Sequence, residues 1–236
     1  MTHDIKALVF DVFGSVVDGR GSIARDHGRW GAREGVQADW AALADAWRAR
    51  YQPQMERVRS GALPFVPLDA LHREALDDLL PAFGLGHLDD AERRHVNAVW
   101  HRLDPWPDAI PGLVRLKHRF IVGTLSNGNV ALQVAMARRA ALPWDVVFSA
   151  EHFGRYKPQP ETYLGAARML ALEPRELMMC AAHNGDLRAA RECGLATAFF
   201  ARPTEYGPGQ ASDLAADDDW DVVADDIEDL ARRLGC

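Results

Sequence analysis

The sequence predicts an α/β fold: a Rossmann-like, doubly wound parallel sheet with helices on both faces and an all-helical insertion after the first strand. Three observations carry this. Short apolar runs rich in branched residues recur along the chain, helix-like segments separate them, and one long stretch breaks the alternation.

The elements follow in order. "IKALVF" (Ile5–Phe10) is short and mostly apolar, as a strand buried on both faces should be. Similar runs stand at Phe120–Leu125, Val146–Phe148, Leu177–Ala181 and Ala196–Phe200, with Val222–Ala224 a weaker one. Helical segments are expected between them at Pro111–His118, Val130–Ala140, Pro160–Leu170, Leu187–Cys193 and Ile227–Leu234. Pro160 suits the first position of its helix and Gly194 the end of its own. From Gly19 to about Asp108 no strand is convincing, but helical patterns stand at Asp39–Arg59, Leu68–Leu80 and Asp89–Leu103. The breaks "SGALPFVP" and "FGLGH" separate them. The expected division is a core of residues 1–18 and 108–236 with a helical domain of residues 19–107, hinged near Gly19 and Pro105–Pro111.

Composition narrows the function classes. A net charge of −7 argues against the broad basic surface that nucleic-acid binding needs, while leaving room for a local cationic pocket. Cys180, Cys193 and Cys236 have no metal-like spacing and read as reduced thiols, which with the absence of a secretory or membrane-spanning run gives a cytoplasmic expectation.

In open parallel sheets, ligands bind beyond the carboxyl ends of the strands. Asp11 and Ser15 follow the first strand, Ser126-Asn127-Gly128 the second, Lys157-Pro158 lies beyond the third, and His183-Asn184-Gly185-Asp186 follow the fourth. Two carboxylates, a hydroxyl, an amide and a lysine converge on one edge.

With these motifs in this order, "FDVFGS" (10–15), "LSNG" (125–128), "KPQPETY" (157–163) and "HNGDLRAARECG" (183–194), the chain resembles the haloacid dehalogenase superfamily, and within it the L-2-haloacid dehalogenases. The helical stretch falls where that family carries its cap. Most of the superfamily are phosphatases, with a second Asp two residues after the nucleophile as general acid and a G-D-x-x-x-D element that helps to hold Mg²⁺. Here those places are Phe13, which cannot transfer a proton, and Ala182, which offers a cation no side-chain oxygen. A halide leaves without protonation, so neither a general acid nor a metal or other cofactor is expected.

The resemblance implies roles residue by residue. Asp11 is the nucleophile, where a lone Asp would be only a strand-end cap. Lys157 keeps it ionised, and Asp186 anchors Lys157 or positions water. Ser15 contacts the nucleophile where most members have Thr. Ser126 holds the substrate carboxylate, although it also suits a helix cap, and Asn127 receives the halide. Val12, Phe13, Tyr163 and Asn184 complete the surroundings, with Tyr163 either a partner of Lys157 or a core tyrosine. Arg48 in "DAWRARYQPQM" meets halide and substrate, with Arg50 its competitor, and Leu68 is a candidate for the halide pocket. The fourth motif departs from the family: Ala181, His183 and Gly185 replace Ser, Asn and an aromatic residue. His183 is either a packed polar residue or a base in the second step. The expected function is hydrolytic dehalogenation of short 2-haloalkanoic acids through an Asp11 ester. A phosphatase or phosphonatase, and a catalytically silent binding protein, remain the alternatives. The expected partner is the small halogenated carboxylate, with no nucleic acid and no membrane, and the resemblance implies a homodimer.

Overall fold

The computed structural model describes residues 4–236. In chain order the strands are β1 (Ala7–Phe10), β2 (Val17–Asp18), β3 (Asp104–Pro105), β4 (Ile121–Ser126), β5 (Val146–Ser149), β6 (Leu177–Ala181), β7 (Ala196–Phe200) and β8 (Val222–Ala224). Six of them form one parallel sheet in the order β5-β4-β1-β6-β7-β8. All four residues of β1 are buried. Leu8 and Phe10 join one apolar cluster while Ala7 and Val9 join a second, so the pleat sends alternate side chains into helices on opposite faces. A fully buried leucine or phenylalanine of this kind contributes ~1.5–3 kcal/mol.

Strand order reverses direction beside β1: the chain proceeds to β4 and β5 on one side and to β6, β7 and β8 on the other. Such a switch point opens a crevice at the carboxyl ends. Register makes the ends level, because Phe10 pairs with Thr124 of β4 and with Cys180 of β6. Asp11, the residues after Leu125 and those after Ala181 therefore emerge side by side.

Between β2 and β3 the chain is helical: α1 (Gly19–Glu34), α2 (Trp40–Arg59), α3 (Leu68–Leu79) and α4 (Asp90–Asn97), with short 3₁₀ turns at Leu80–Phe83 and Ala98–Arg102. The entering and leaving chains pair antiparallel, Val17 with Pro105 and Asp18 with Asp104. Asp18 then caps α1, accepting from the Gly21 N–H, and Asp39 caps α2 through Ala42. The pattern expected over Asp89–Leu103 is an α-helix only to Asn97 and tightens into 3₁₀ turns beyond it. Helix α1 lies outside the anticipated segments. Its glycines disguise it, yet Gly31 is required there: a Cβ would stand 2.5 Å from the Val36 carbonyl and 2.8 Å from the Trp40 ring. Glycine lets the start of α2 close onto α1.

The remaining helices are α5 (Ala109–Leu116), α6 (Val130–Ala140), α7 (Ala150–Phe153), α8 (Pro160–Met169), α9 (Asn184–Glu192) and α10 (Ile227–Arg233). Helix α9 begins three residues before the expected Leu187, so Asp186 belongs to its first turn. Among the described residues no helix is long and apolar enough to cross a membrane.

Candidate active site

Asp11 leaves β1 with its N–H bonded to the Cys180 carbonyl at 3.0 Å, which fixes the carboxylate at the sheet edge. Its Oδ1 accepts from Lys157 Nζ at 2.9 Å, and its Oδ2 accepts from Ser15 Oγ at 2.8 Å. Ser15 Oγ also accepts the Ala182 N–H at 2.9 Å, so one hydroxyl ties the loops after β1 and β6. Burial alone would raise the Asp11 pKa, but the Lys157 and His183 charges hold it well below the usual carboxylate range. This is a carboxylate kept ionised.

Lys157 stands just ahead of α8, with its N–H bonded to Asn127 Oδ1 at 2.8 Å. Its Nζ also donates to Asp186 Oδ2 at 2.5 Å, and Asp186 Oδ1 accepts from the Tyr163 hydroxyl at 2.6 Å. Burial works against the ammonium, and the two carboxylates more than reverse that, raising its pKa. Tyr163 is therefore the partner of Asp186, which in turn holds Lys157.

His183 precedes α9 as its N-cap residue but makes no side-chain cap bond. Its ring is engaged elsewhere: Nδ1 is 3.2 Å from Asp11 Oδ2, and Nε2 is 2.8 Å from Glu205 Oε2. Arg48, on α2, donates from one terminal nitrogen to Glu205 Oε1 at 3.2 Å, while its other terminal nitrogen is buried without a partner. The guanidinium carbon lies 4.4 Å from the Tyr51 ring centre and 5.7 Å from that of Tyr206. Arg50 is exposed and Arg48 faces the site, as their spacing on one helix dictates.

Asp11, Lys157, Asp186, His183 and Arg48 line a cavity of ≈ 720 Å³, with Phe13, Tyr51, Gln52, Arg59 and Asn127 among its walls. Phe13 packs edge-on against Trp100 (5.5 Å, 82°) and Tyr51 (6.3 Å, 81°), so an aromatic cluster fills its position. Gly185 also borders the cavity and leaves open space where a Cβ would stand.

Five expected residues do not line this cavity: Ser15, which reaches it only through its bond to Asp11, and four others. Ser126 Oγ accepts the Gly128 N–H at 3.1 Å, the cap-like role. Val12 packs into the core and its carbonyl accepts from Val16 and Val17. Asn184 turns its amide to Asp213, Ala215 and Trp220, holding the loop before β8. Leu68 is buried in the helical core.

Glu205 and Tyr206, and Tyr51 on α2, are site residues that the sequence reading left out. A signal existed for the first two: "ARPTEY" follows β7, and inspecting what lies beyond each strand would have reached it. Tyr51 stands three residues after Arg48, on the same helical face. Glu205 is only 4% exposed. Gly14, at φ +90°, makes room for it: a Cβ there would lie 2.0 Å from Glu205 Oε1.

A family model described as haloacid dehalogenase-like hydrolase matches residues 5–194. The chain is 29% identical over 214 residues to the (S)-2-haloacid dehalogenase 4A of Burkholderia cepacia, covering 87% of this chain and 88% of the relative. It is 28% identical over 202 residues to the (S)-2-haloacid dehalogenase of Xanthobacter autotrophicus, covering 84% and 76%. Among solved structures, an L-2-haloacid dehalogenase superposes with a TM-score of 0.95 at 50% identity, covering 98% of both chains. A defluorinating L-2-haloacid dehalogenase superposes equally, with a TM-score of 0.95 at 48% identity, over 98% of this chain and 96% of the other.

Proposed function

The chain belongs to the haloacid dehalogenase-like hydrolases, and within them to the L-2-haloacid dehalogenases, and from that premise and the site geometry we propose that it hydrolyses short 2-haloalkanoic acids to 2-hydroxy acids. Asp11 attacks C2 opposite the halogen, forming an ester and inverting the carbon. The buried, unpartnered nitrogen of Arg48 and the Asn127 amide receive the departing halide, where charge develops. Water then attacks the carbonyl of the Asp11 ester, assisted by Asp186, Lys157 and His183. The helical segment 19–107 acts as a cap that excludes bulk water while the ester exists.

One observation carries the reading: an ionised Asp11 on Lys157, with Phe13 rather than a proton donor beside it. A good leaving group needs no such donor, whereas a phosphate ester does. The donor set also does not fit Mg²⁺. Asp11 and Asp186 share the Lys157 ammonium, Ala182 supplies no oxygen, and no group of three His, Cys, Asp or Glu side chains among the described residues is placed to hold a metal ion.

Halide release from chloroacetate, 2-chloropropionate and fluoroacetate, before and after exhaustive EDTA treatment, tests this. Release unchanged by EDTA is expected. Turnover of phosphate esters that requires Mg²⁺, with no halide from any 2-haloacid, would overturn it.

A further inference from the structure

His183 sits between two carboxylates. Asp11 Oδ2 is 3.2 Å from Nδ1, and Glu205 offers Oε2 at 2.8 Å and Oε1 at 3.1 Å to Nε2. Ionised carboxylates only accept hydrogen bonds, and a neutral imidazole has one nitrogen that must also accept. Carboxylates on opposite sides of one ring favour a proton on each nitrogen, so the free site favours an imidazolium. Its other charged and titratable surroundings are Tyr206, whose hydroxyl is 3.5 Å from Nε2, Arg48 beyond Glu205, and Lys157 and Asp186 beyond Asp11.

An imidazolium cannot take a proton from water, so in the free site His183 is no base. The reaction itself removes the obstacle. We propose that Glu205 is the positioning residue that turns His183 into the base of ester hydrolysis, and that formation of the Asp11 ester is the event that switches it. The inference rests on the dehalogenase reading above.

The steps balance. An Asp11 oxygen bonds to C2 while the C2–halogen pair leaves with the halide, and no proton moves. Asp11 is then neutral, and Nδ1–H faces an ester instead of a carboxylate. Glu205 still accepts from Nε2–H, which fixes the tautomer, so the proton that departs is the one on Nδ1, through the cavity to solvent. Nδ1 now presents a lone pair beside the ester. Water adds to the Asp11 carbonyl carbon and gives one proton to Nδ1. Collapse breaks the bond to the ester oxygen, which leaves with water's second proton as the product hydroxyl. The Asp11 carboxylate and the imidazolium are restored, and one H⁺ and one halide have been released per turnover.

The surroundings agree. Burial lowers the pKa of His183, but Glu205 and Asp11 together raise it well above its ordinary value of 6.5. Ester formation withdraws the Asp11 share. Glu205 itself is fixed between Arg48 and His183 and packs against the Gly14 backbone, where no larger residue would leave it room. A carboxylate that holds a histidine in one tautomer is a known way to make an effective base.

Two measurements test the proposal. In ¹⁵N-histidine NMR of the free wild-type chain near neutral pH, the His183 signal, identified by its loss in His183→Gln, should be doubly protonated. A singly protonated ring there would overturn the proposal. In Glu205→Gln the first-turnover halide burst should survive, the Asp11 ester should accumulate by intact-mass spectrometry, and steady-state turnover should fall by ~10²-fold. The acid limb of its kcat profile should also move to lower pH, which a purely structural role would not produce. Turnover within about twofold of wild type, or loss of the burst together with hydrolysis, would refute it. If Glu205→Gln does not fold, the wild-type spectrum still decides. Absence of halide release by the wild-type chain would count against the dehalogenase reading instead, and leaves the His183 measurement readable.

Discussion

At the scale of the residue, the site is a set of charges arranged in pairs: Asp11 and Asp186 on Lys157, Glu205 on Arg48 and His183. The proposed covalent catalysis by Asp11 makes a prediction that ordinary kinetics cannot check. Ester hydrolysis breaks the bond at the Asp11 carbonyl, so the product hydroxyl oxygen comes from Asp11 and solvent replaces it. With enzyme in excess over substrate in H₂¹⁸O, first-turnover product should be unlabelled and the peptide containing Asp11 should carry ¹⁸O. Label in the product alone would show that Asp11 acts on water instead. Arg48 gives a second prediction. If its free buried nitrogen meets halide in the transition state, Arg48→Ala should raise the barrier by at least ~2 kcal/mol, a loss of ~30-fold in kcat/KM. Arg48→Lys keeps the charge but loses the planar fork and should still be impaired. Arg50→Ala should be close to wild type, because that side chain is exposed. A damaging Arg50→Ala would relocate the halide contact.

At the scale of the element, the loop after β7 is held by one buried ion pair. Arg202 donates to both oxygens of Asp108 at 2.8 and 2.7 Å and to the Ser15 carbonyl at 2.9 Å, and Asp108 also accepts the Ile227 N–H at 2.9 Å. One arginine thereby joins the starts of α5 and α10 to the loop after β1, three residues ahead of Glu205. Burial would raise the Asp108 pKa, and Arg202 lowers it instead. Arg202→Met should cost ~3–5 kcal/mol in urea unfolding, since it strands a buried carboxylate. Adding Asp108→Asn should recover more than half, because no unpaired charge then remains and the amide can still accept from Ile227. A double variant no better than the single would mean that packing, not charge, holds the loop. This pair also shows where legibility stops. The strands, and Asp11, Lys157 and Asp186 at their ends, were readable because buried parallel strands are continuous apolar runs and their ends carry the chemistry. Helix α1 was not, because its glycines serve contact with Trp40 rather than helix propensity. Glu205 is invisible to local patterning: its partners are 22 residues away in His183 and 157 away in Arg48, and only the fold brings them together. Ser126 and Asn184 are ambiguous for the converse reason, since cap-forming and loop-holding residues share the side chains that bind ligands.

At the scale of the whole molecule, the helical segment and the sheet should differ in their response to acid. The segment buries two histidines with poor provision for a charge. His27 bonds the Val96 carbonyl through Nε2 at 3.1 Å and leaves Nδ1 unpartnered. His72 has neither nitrogen bonded and stacks 4.1 Å from the Trp100 ring centre. Burial pushes His27 down to about 4 and His72 to about 3, from an ordinary 6.5. The unfolded chain therefore binds protons below 6.5 that the folded chain refuses, and stability falls as pH falls through that window. Each such group contributes a slope of about 1.4 kcal/mol per pH unit once the unfolded form is fully protonated. The depressed carboxylates Asp11, Asp26, Asp69, Asp104 and Asp108 act in the same direction, but only below their ordinary 3.8. His183 has the opposite sign: its raised pKa stabilises the fold at low pH and is lost on the alkaline side, so it adds nothing to acid unfolding. Between about pH 6 and pH 4.5 His27 and His72, with a smaller share from the half-buried His95 whose pKa burial also lowers, should set most of the slope. Urea midpoints across that range should fall steadily in the wild-type chain, and clearly less steeply in His72→Leu. Hydrogen exchange should show residues 19–102 losing protection at higher pH than the six-stranded sheet, because both histidines lie in that segment. A flat stability profile down to about pH 4.5, or loss of the sheet first, would mean that both rings find proton acceptors on protonation and that their burial carries no cost.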